Sequence, residues 1–141
     1  MRFFSHEWCN AVKEKVNADP EFQKKAAKLD FKIHNLLTDC PGGTDSLVEW
    51  EFSKGRLLSV KVEEKPAPSE FREIPWSSTI SFTRATGSYD TYTDINKGKL
   101  APMDGMARGL YKVDGVMAKL MPKMGSVAAF SELMATIPCE Y

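Results

Sequence analysis

The sequence predicts an α/β domain, a sheet with helices laid on one face. Three observations predict it. Two helical patterns precede any strand, three alternating runs divided by turn residues follow, and Gly109 and Gly115 then bracket a short run before two last apolar helical segments. In that bracketed run Tyr111 and Val113 alternate with Lys112 and Asp114, the pattern of a half-buried strand. So short a strand cannot stand alone and must pair with strands from earlier in the chain. The predicted order is ααβββ, an irregular connection, βα, β and α, within a single domain spanning 1–141.

Between Ser5 and Asn17, Trp8, Val12 and Val16 form one apolar stripe opposite Lys13, Glu14 and Lys15, with Ser5 placed to cap the helix. Asp19-Pro20 is a second start signal, cap then first-turn proline, and Phe22, Ala26 and Leu29 make the next stripe. Phe31, Ile33 and Leu37 alternate with Lys32 and His34, which predicts a strand with His34 on its solvent side. Val48, Trp50 and Phe52 alternate with Glu49 and Glu51, and Leu58, Val60 and Val62 with Ser59 and Lys61; Lys54-Gly55 between them predicts an antiparallel hairpin.

The stretch 64–78 carries Pro66, Pro68 and Pro75 and reads as an irregular connection, yet Phe71, Ile74 and Trp76 are too apolar for a wholly solvated loop. It either folds back as a flap over the sheet edge or a cavity mouth, or simply anchors itself. A fourth strand is expected near Thr79 to Arg84 with Ile80 and Phe82 inward, followed by a helix capped by Ser88, running to about Ile95 and closed by Gly98. Val116, Met117, Leu120 and Met121 give an apolar helical face up to Pro122, and Ser126 begins a last helix carrying Val127, Phe130, Met134 and Ile137.

Lys plus Arg and Asp plus Glu both number 19, and no basic stripe runs along the chain, so nucleic acid is excluded as a partner. Cys9, Cys40 and Cys139 are odd in number and lack metal-ligand spacing, which predicts reduced thiols, no metal site and no cofactor. No run reaches the eighteen or so apolar residues of a membrane span, and Glu7 interrupts any leader-like start. The expectation is a cytoplasmic protein without stable membrane insertion.

Catalytic patterns are weak. Ser5, His6 and Glu7 are adjacent on a helix, where neighbouring side chains diverge by roughly 100° and cannot relay a proton. A thiolate–imidazole pair would need His6 with Cys9, or His34 with Cys40; burial of Cys9 as a small hydrophobe competes with the first. Gly105 and Gly109 lack the strand-then-helix setting of a phosphate loop. What remains is apolar: Met103, Met106, Met117, Met121, Met124 and Met134 crowd the last third, either as solid core or as the wall of a cavity.

Ser88-Tyr89-Asp90, the helix after it, Gly98-Lys99-Leu100 with Pro102-Met103, and Arg108-Gly109-Leu110-Tyr111-Lys112-Val113-Asp114-Gly115 resemble the closing half of the sterol carrier protein type 2 domain family. The helix, helix, three-strand order before them, with Trp8 in the first helix and Gly55 between strands, extends the likeness over nearly the whole chain. The resemblance implies an α+β, five-stranded mixed, mainly antiparallel sheet covered by helices and enclosing an apolar tunnel for a fatty acid, acyl-CoA, sterol or other lipid, with no covalent chemistry. It implies a tunnel wall of Met103, Met106, Leu110, Met117, Leu120, Met121, Phe130 and Met134 facing Trp50, Phe52 and Phe82. The insertion at about 64–78 and the absence of a peroxisomal ending depart from the family. Two alternatives stand beside this reading: a homodimer or interaction module using an exposed 126–137 helix, and a small acyl-group enzyme acting through Cys9 or Cys40.

Overall fold

Ser5 opens the first helix with its hydroxyl oxygen accepting from the Trp8 amide at 3.1 Å, in a computed structural model that describes all residues 1–141. Helix α1 (His6–Ala18) buries Trp8, Cys9, Val12 and Val16. Asp19 then caps α2 (Pro20–Lys25), its Oδ1 accepting from the Glu21 and Phe22 amides at 3.1 Å. Both caps satisfy amides that a helix start leaves without partners.

Five strands follow: β1 (Lys32–Cys40), β2 (Thr44–Ser53), β3 (Arg56–Pro66), β4 (Thr83–Ser88) and β5 (Tyr111–Gly115). They form one mixed sheet in the order β3-β2-β1-β4-β5, in which β1 and β4 are parallel and all other neighbours antiparallel. Helices α3 (Tyr89–Asn96), α4 (Pro102–Ala107), α5 (Met117–Leu120) and α6 (Met124–Ala135) complete the chain. Ser88 caps α3 as expected, accepting from the Thr91 amide at 3.1 Å.

Four sequence expectations shift. A bulge sets Phe52 opposite Leu57 while Glu51 faces Ser59, so Leu57 is buried and Leu58 points outward. The fourth strand starts at Thr83 rather than Thr79, because the chain is still turning at 77–80, where the Ile80 amide donates to the Ser77 carbonyl. A short helix starts at Pro102, between the third helix and the fifth strand, where the predicted order has no element. Helix α6 begins at Met124, and Ser126 lies inside it, its hydroxyl donating to the Lys25 carbonyl at 2.9 Å to tie α6 to α2.

Register divides the sheet into two faces. On one, Ile33, Val48, Trp50 and Phe52 meet α1, α2 and α6 in the main core. Its centre is aromatic: the Phe130 ring stands edge-on to Trp50 at 5.1 Å and to Phe52 at 4.9 Å. On the other face lie His34, Leu36, Glu49, Arg84 and Asp114. His34 is buried there, its Nε2 3.1 Å from Glu49 Oε1, so the expectation of a solvent-facing histidine does not hold.

The reason is the segment after β3, which lies across that second face. Asp45 is fully buried and accepts from the Ser69 amide at 2.9 Å, the Ser69 hydroxyl at 2.7 Å and Arg72 Nε at 2.8 Å. Further on, the Ile74 carbonyl accepts from Arg84 Nη1 at 2.8 Å. Between these anchors Phe71 is buried and, like Leu36, lies outside the main core. No residue of this segment reaches the cavity described next.

Candidate functional site

The strand that carries the fewest large side chains makes the site. Thr83, Ala85 and Gly87 share the helix-side face of β4, next to Tyr111 and Val113 of β5. A Cβ at Gly87 would stand 3.2 Å from the Leu110 carbonyl oxygen and 3.3 Å from the Tyr111 ring, so bulk is already excluded at that end. Over Thr83 and Ala85 the space stays open. There a cavity of about 420 Å³ lies between the sheet and the later helices, partly open to solvent, and 14 of its 21 lining residues are hydrophobic.

Its floor is Ile33, Asn35, Thr83, Ala85, Tyr111 and Val113; α6 contributes Met124, Val127, Phe130 and Met134; Ile95 comes from α3, Met103 and Met106 from α4, and Leu120 from α5. A wider depression of about 530 Å³ lies along α1, but Ala18 is the one hydrophobic residue in its lining, beside Asn10, Lys13, Glu14 and Asn17.

The polar groups of the cavity wall are largely spoken for. Asn35 Oδ1 accepts from Trp50 Nε1 at 2.8 Å while its Nδ2 donates to Tyr92 Oη at 3.1 Å, and Tyr92 Oη donates to the Ala85 carbonyl at 2.6 Å. The Thr83 hydroxyl donates to the Asp114 carbonyl at 2.8 Å. Asn96 Nδ2 donates to Tyr141 Oη at 2.6 Å. Burial pushes the Tyr92 phenol well above its ordinary value and that of Tyr111 up to about 12, so both stay neutral. Glu132 is the only carboxylate on the wall, and no lysine or arginine joins it.

Of the wall expected from sequence, Met103, Met106, Leu120, Phe130 and Met134 line this cavity. Trp50 and Phe52 do not; they are packed behind Phe130. Phe82 stacks on Phe31 at 3.9 Å instead. Leu110, just before β5, Met117 of α5 and Met121, just after α5, stay exposed. The expected wall lacked Met124, and also Ile33, Ile95, Tyr111, Val113 and Val127, apolar or aromatic residues read only as parts of their elements, and Asn35, Thr83 and Ala85, polar or small residues that carry no apolar signal.

The nucleophile candidates separate. Ser5 is occupied as a cap. His6 is exposed while Cys9 is fully buried, and burial holds the Cys9 thiol far above its ordinary value. Burial also lifts Cys40 to about 11, and its thiol donates to the Leu37 carbonyl while His34 faces Glu49. No three His, Cys, Asp or Glu side chains converge as a metal site.

A mixed sheet with helices roofing an apolar cavity on one face defines the architecture as an α+β domain. Solved structures place it further: the chain has the sterol carrier protein 2 fold. A crystal structure of sterol carrier protein 2 superposes with a TM-score of 0.77 at 18% identity, covering 97% of this chain and 100% of that one. A conserved hypothetical protein of Thermus thermophilus, described in connection with sterol carrier protein, gives 0.75 at 17% identity over 99% and 92%. Apo sterol carrier protein 2 from Yarrowia lipolytica gives 0.56 at 15% identity over 95% and 94%. No family model matches the sequence, and no curated protein matches it.

Proposed function

We propose that this protein binds and carries an apolar ligand, a fatty acid, acyl-CoA, sterol or similar lipid, in the cavity between β1, β4, β5 and α6, without covalent chemistry. The observation that carries the reading is the cavity itself: about 420 Å³, walled mainly by apolar side chains, with its buried polar groups already bonded within the protein. Pockets of roughly 300–1,000 Å³ suit small ligands.

Burial supplies the affinity. About ten methylenes taken out of water contribute ~8 kcal/mol, and association takes back several, so a ten-carbon tail alone falls short of micromolar binding. Longer chains or rings gain from the same wall. Several methionines, unbranched and polarisable, let it fit more than one shape. Docking through the 126–137 helix is not favoured, because Phe130 and Leu133 of that helix are buried against this domain's own core.

Native mass spectrometry of protein purified without detergent tests the reading, followed by displacement of an environment-sensitive fluorescent fatty acid. The expected result is a co-purified lipid mass and saturable dye uptake. A clean apo mass together with absence of dye uptake would overturn it.

A further inference from the structure

Of the eleven large apolar side chains left in solvent, seven fall within residues 103–124, the others being Met1, Leu58, Ile74 and Tyr141. Met103, Met106, Leu110, Val116, Met117 and Met121 are all exposed and, with Met124, belong to one stretch from α4 to the start of α6. Met103 is 75% exposed and Met121 65%. Met103, Met106 and Met124 also line the cavity, and Met117 and Met121 flank Leu120, which lines it too, so these thioethers lie along its edge.

Charge is gathered there too. Residues 97–124 hold Lys97, Lys99, Arg108, Lys112, Lys119 and Lys123 against only Asp104 and Asp114, in a chain whose formal net charge is zero. Asp114 and Lys112 face the opposite side of the sheet, beside Arg84. Lys99, Arg108, Lys119 and Lys123 make no ion pair with any carboxylate. Glu132 lines the cavity but also the groove between α2 and α6, which sets it away from α4 and α5.

We propose that this methionine rim with its unpaired basic side chains docks the protein on the surface of an anionic lipid bilayer, cavity mouth toward the membrane. Thioether side chains enter the disordered headgroup and acyl boundary without demanding a fixed partner shape. Lysine and arginine beside them are drawn to the negative surface potential. A second copy of the chain fits worse, since a two-fold contact through this face brings like charges together. The proposal builds on the cavity reading, because it names the phase from which an apolar ligand would enter. It rests on the rim rather than on the ligand.

Co-sedimentation tests it, using vesicles of phosphatidylcholine alone and of equimolar phosphatidylcholine and phosphatidylglycerol. The protein should pellet with the second and be released by high salt. Lys119→Gln with Lys123→Gln should lower partitioning about fivefold per lysine, and Met117→Ser with Met121→Ser about tenfold or more. Both pairs sit on the surface, and Lys24→Gln with Lys28→Gln on the α2 side should change nothing. Equal binding by all three pairs, or no preference for anionic vesicles, overturns the proposal. So does a dimer in light scattering that the methionine pair dissolves, which would make the occupant a second copy. Met134→Trp, which fills the cavity, should stop dye uptake and leave vesicle binding intact. If the wild type binds vesicles but takes up no dye, the carrier reading fails and the docking surface stands.

Discussion

Trp50 Nε1 donates to Asn35 Oδ1 at 2.8 Å across the β1–β2 pair, and the same amide passes a second bond to Tyr92 Oη at 3.1 Å. One buried asparagine thus joins the aromatic core to the cavity floor and to α3. Asn35→Leu keeps the volume but leaves the indole N–H facing methyl groups. Stranding a buried donor costs about 1–3 kcal/mol. Urea denaturation should show a loss of this size, and an unchanged midpoint would mean that water entering from the cavity replaces the amide.

Ala85 lines the cavity beneath α6, and its backbone carbonyl, not its methyl, holds Tyr92. Ala85→Leu therefore adds three carbons to open space without breaking a bond. Fluorescent fatty acid uptake should fall at least tenfold while thermal stability holds or rises, since filling an apolar void is favourable. Uptake at the wild-type level would place the ligand elsewhere.

These two residues mark where the chain was legible and where it was not. Ser5, Asp19 and Ser88 announced three helix starts, because a cap is a local bond between a side chain and an amide close along the chain. The alternation in Val48–Phe52 announced a half-buried strand for the same local reason. Strand β4 reads Thr-Arg-Ala-Thr-Gly-Ser and offers no such alternation: a strand that floors a cavity must be small where a core strand is large. The large apolar residues that signal a strand, Ile80 and Phe82, lie just upstream of β4. His34 deceived for the complementary reason, because the cover over its face comes from residues more than thirty positions away. In the site, helical spacing puts Phe130 and Met134 on an apolar face and the family resemblance puts them on the wall, but neither tells which methionines point inward.

Asp45 carries the anchor of that cover. The Arg72 guanidinium and the Ser69 bonds hold its carboxyl well below the usual carboxylate range. A folded-state value below the unfolded one stabilises fully above about pH 3.9 and loses that contribution as pH falls through the folded value. Asp45→Asn should destabilise by about 2–4 kcal/mol at neutral pH, leaving Arg72 poorly paired. The gap to wild type should narrow as the medium is acidified below about pH 4. Hydrogen exchange at Ser69 should quicken at neutral pH, and a pH-independent gap would deny Asp45 its charge-dependent role.

The buried thiols make a sharp contrast with the half-buried one. Burial keeps Cys9 and Cys40 protonated at neutral pH, and both are covered, whereas Cys139 is partly exposed. A mild alkylating reagent on the folded protein should modify Cys139 first and leave the other two until unfolding, as peptide mass mapping would reveal. Rapid labelling of Cys9 or Cys40 would revive a nucleophilic role.

Gly55 and Gly42 separate two reasons for glycine. Both have positive φ, +83 and +91, so alanine at either loses the left-handed freedom that glycine has. That alone costs about 1 kcal/mol. A Cβ at Gly42 meets nothing within 4 Å, whereas one at Gly55 would stand 2.9 Å from the Ala26 carbonyl oxygen and 3.0 Å from that of Gln23. Those atoms are backbone and cannot swing away, and the Gly55 amide donates to the Leu29 carbonyl at 2.9 Å, clamping the hairpin tip against the end of α2. Gly55→Ala must therefore push the β2–β3 turn off the helix and expose Ala26 and Leu29. Its loss should exceed that of Gly42→Ala by about 2 kcal/mol in parallel denaturation curves. Equal losses would show that the turn, and not its contact with α2, is what demands glycine there.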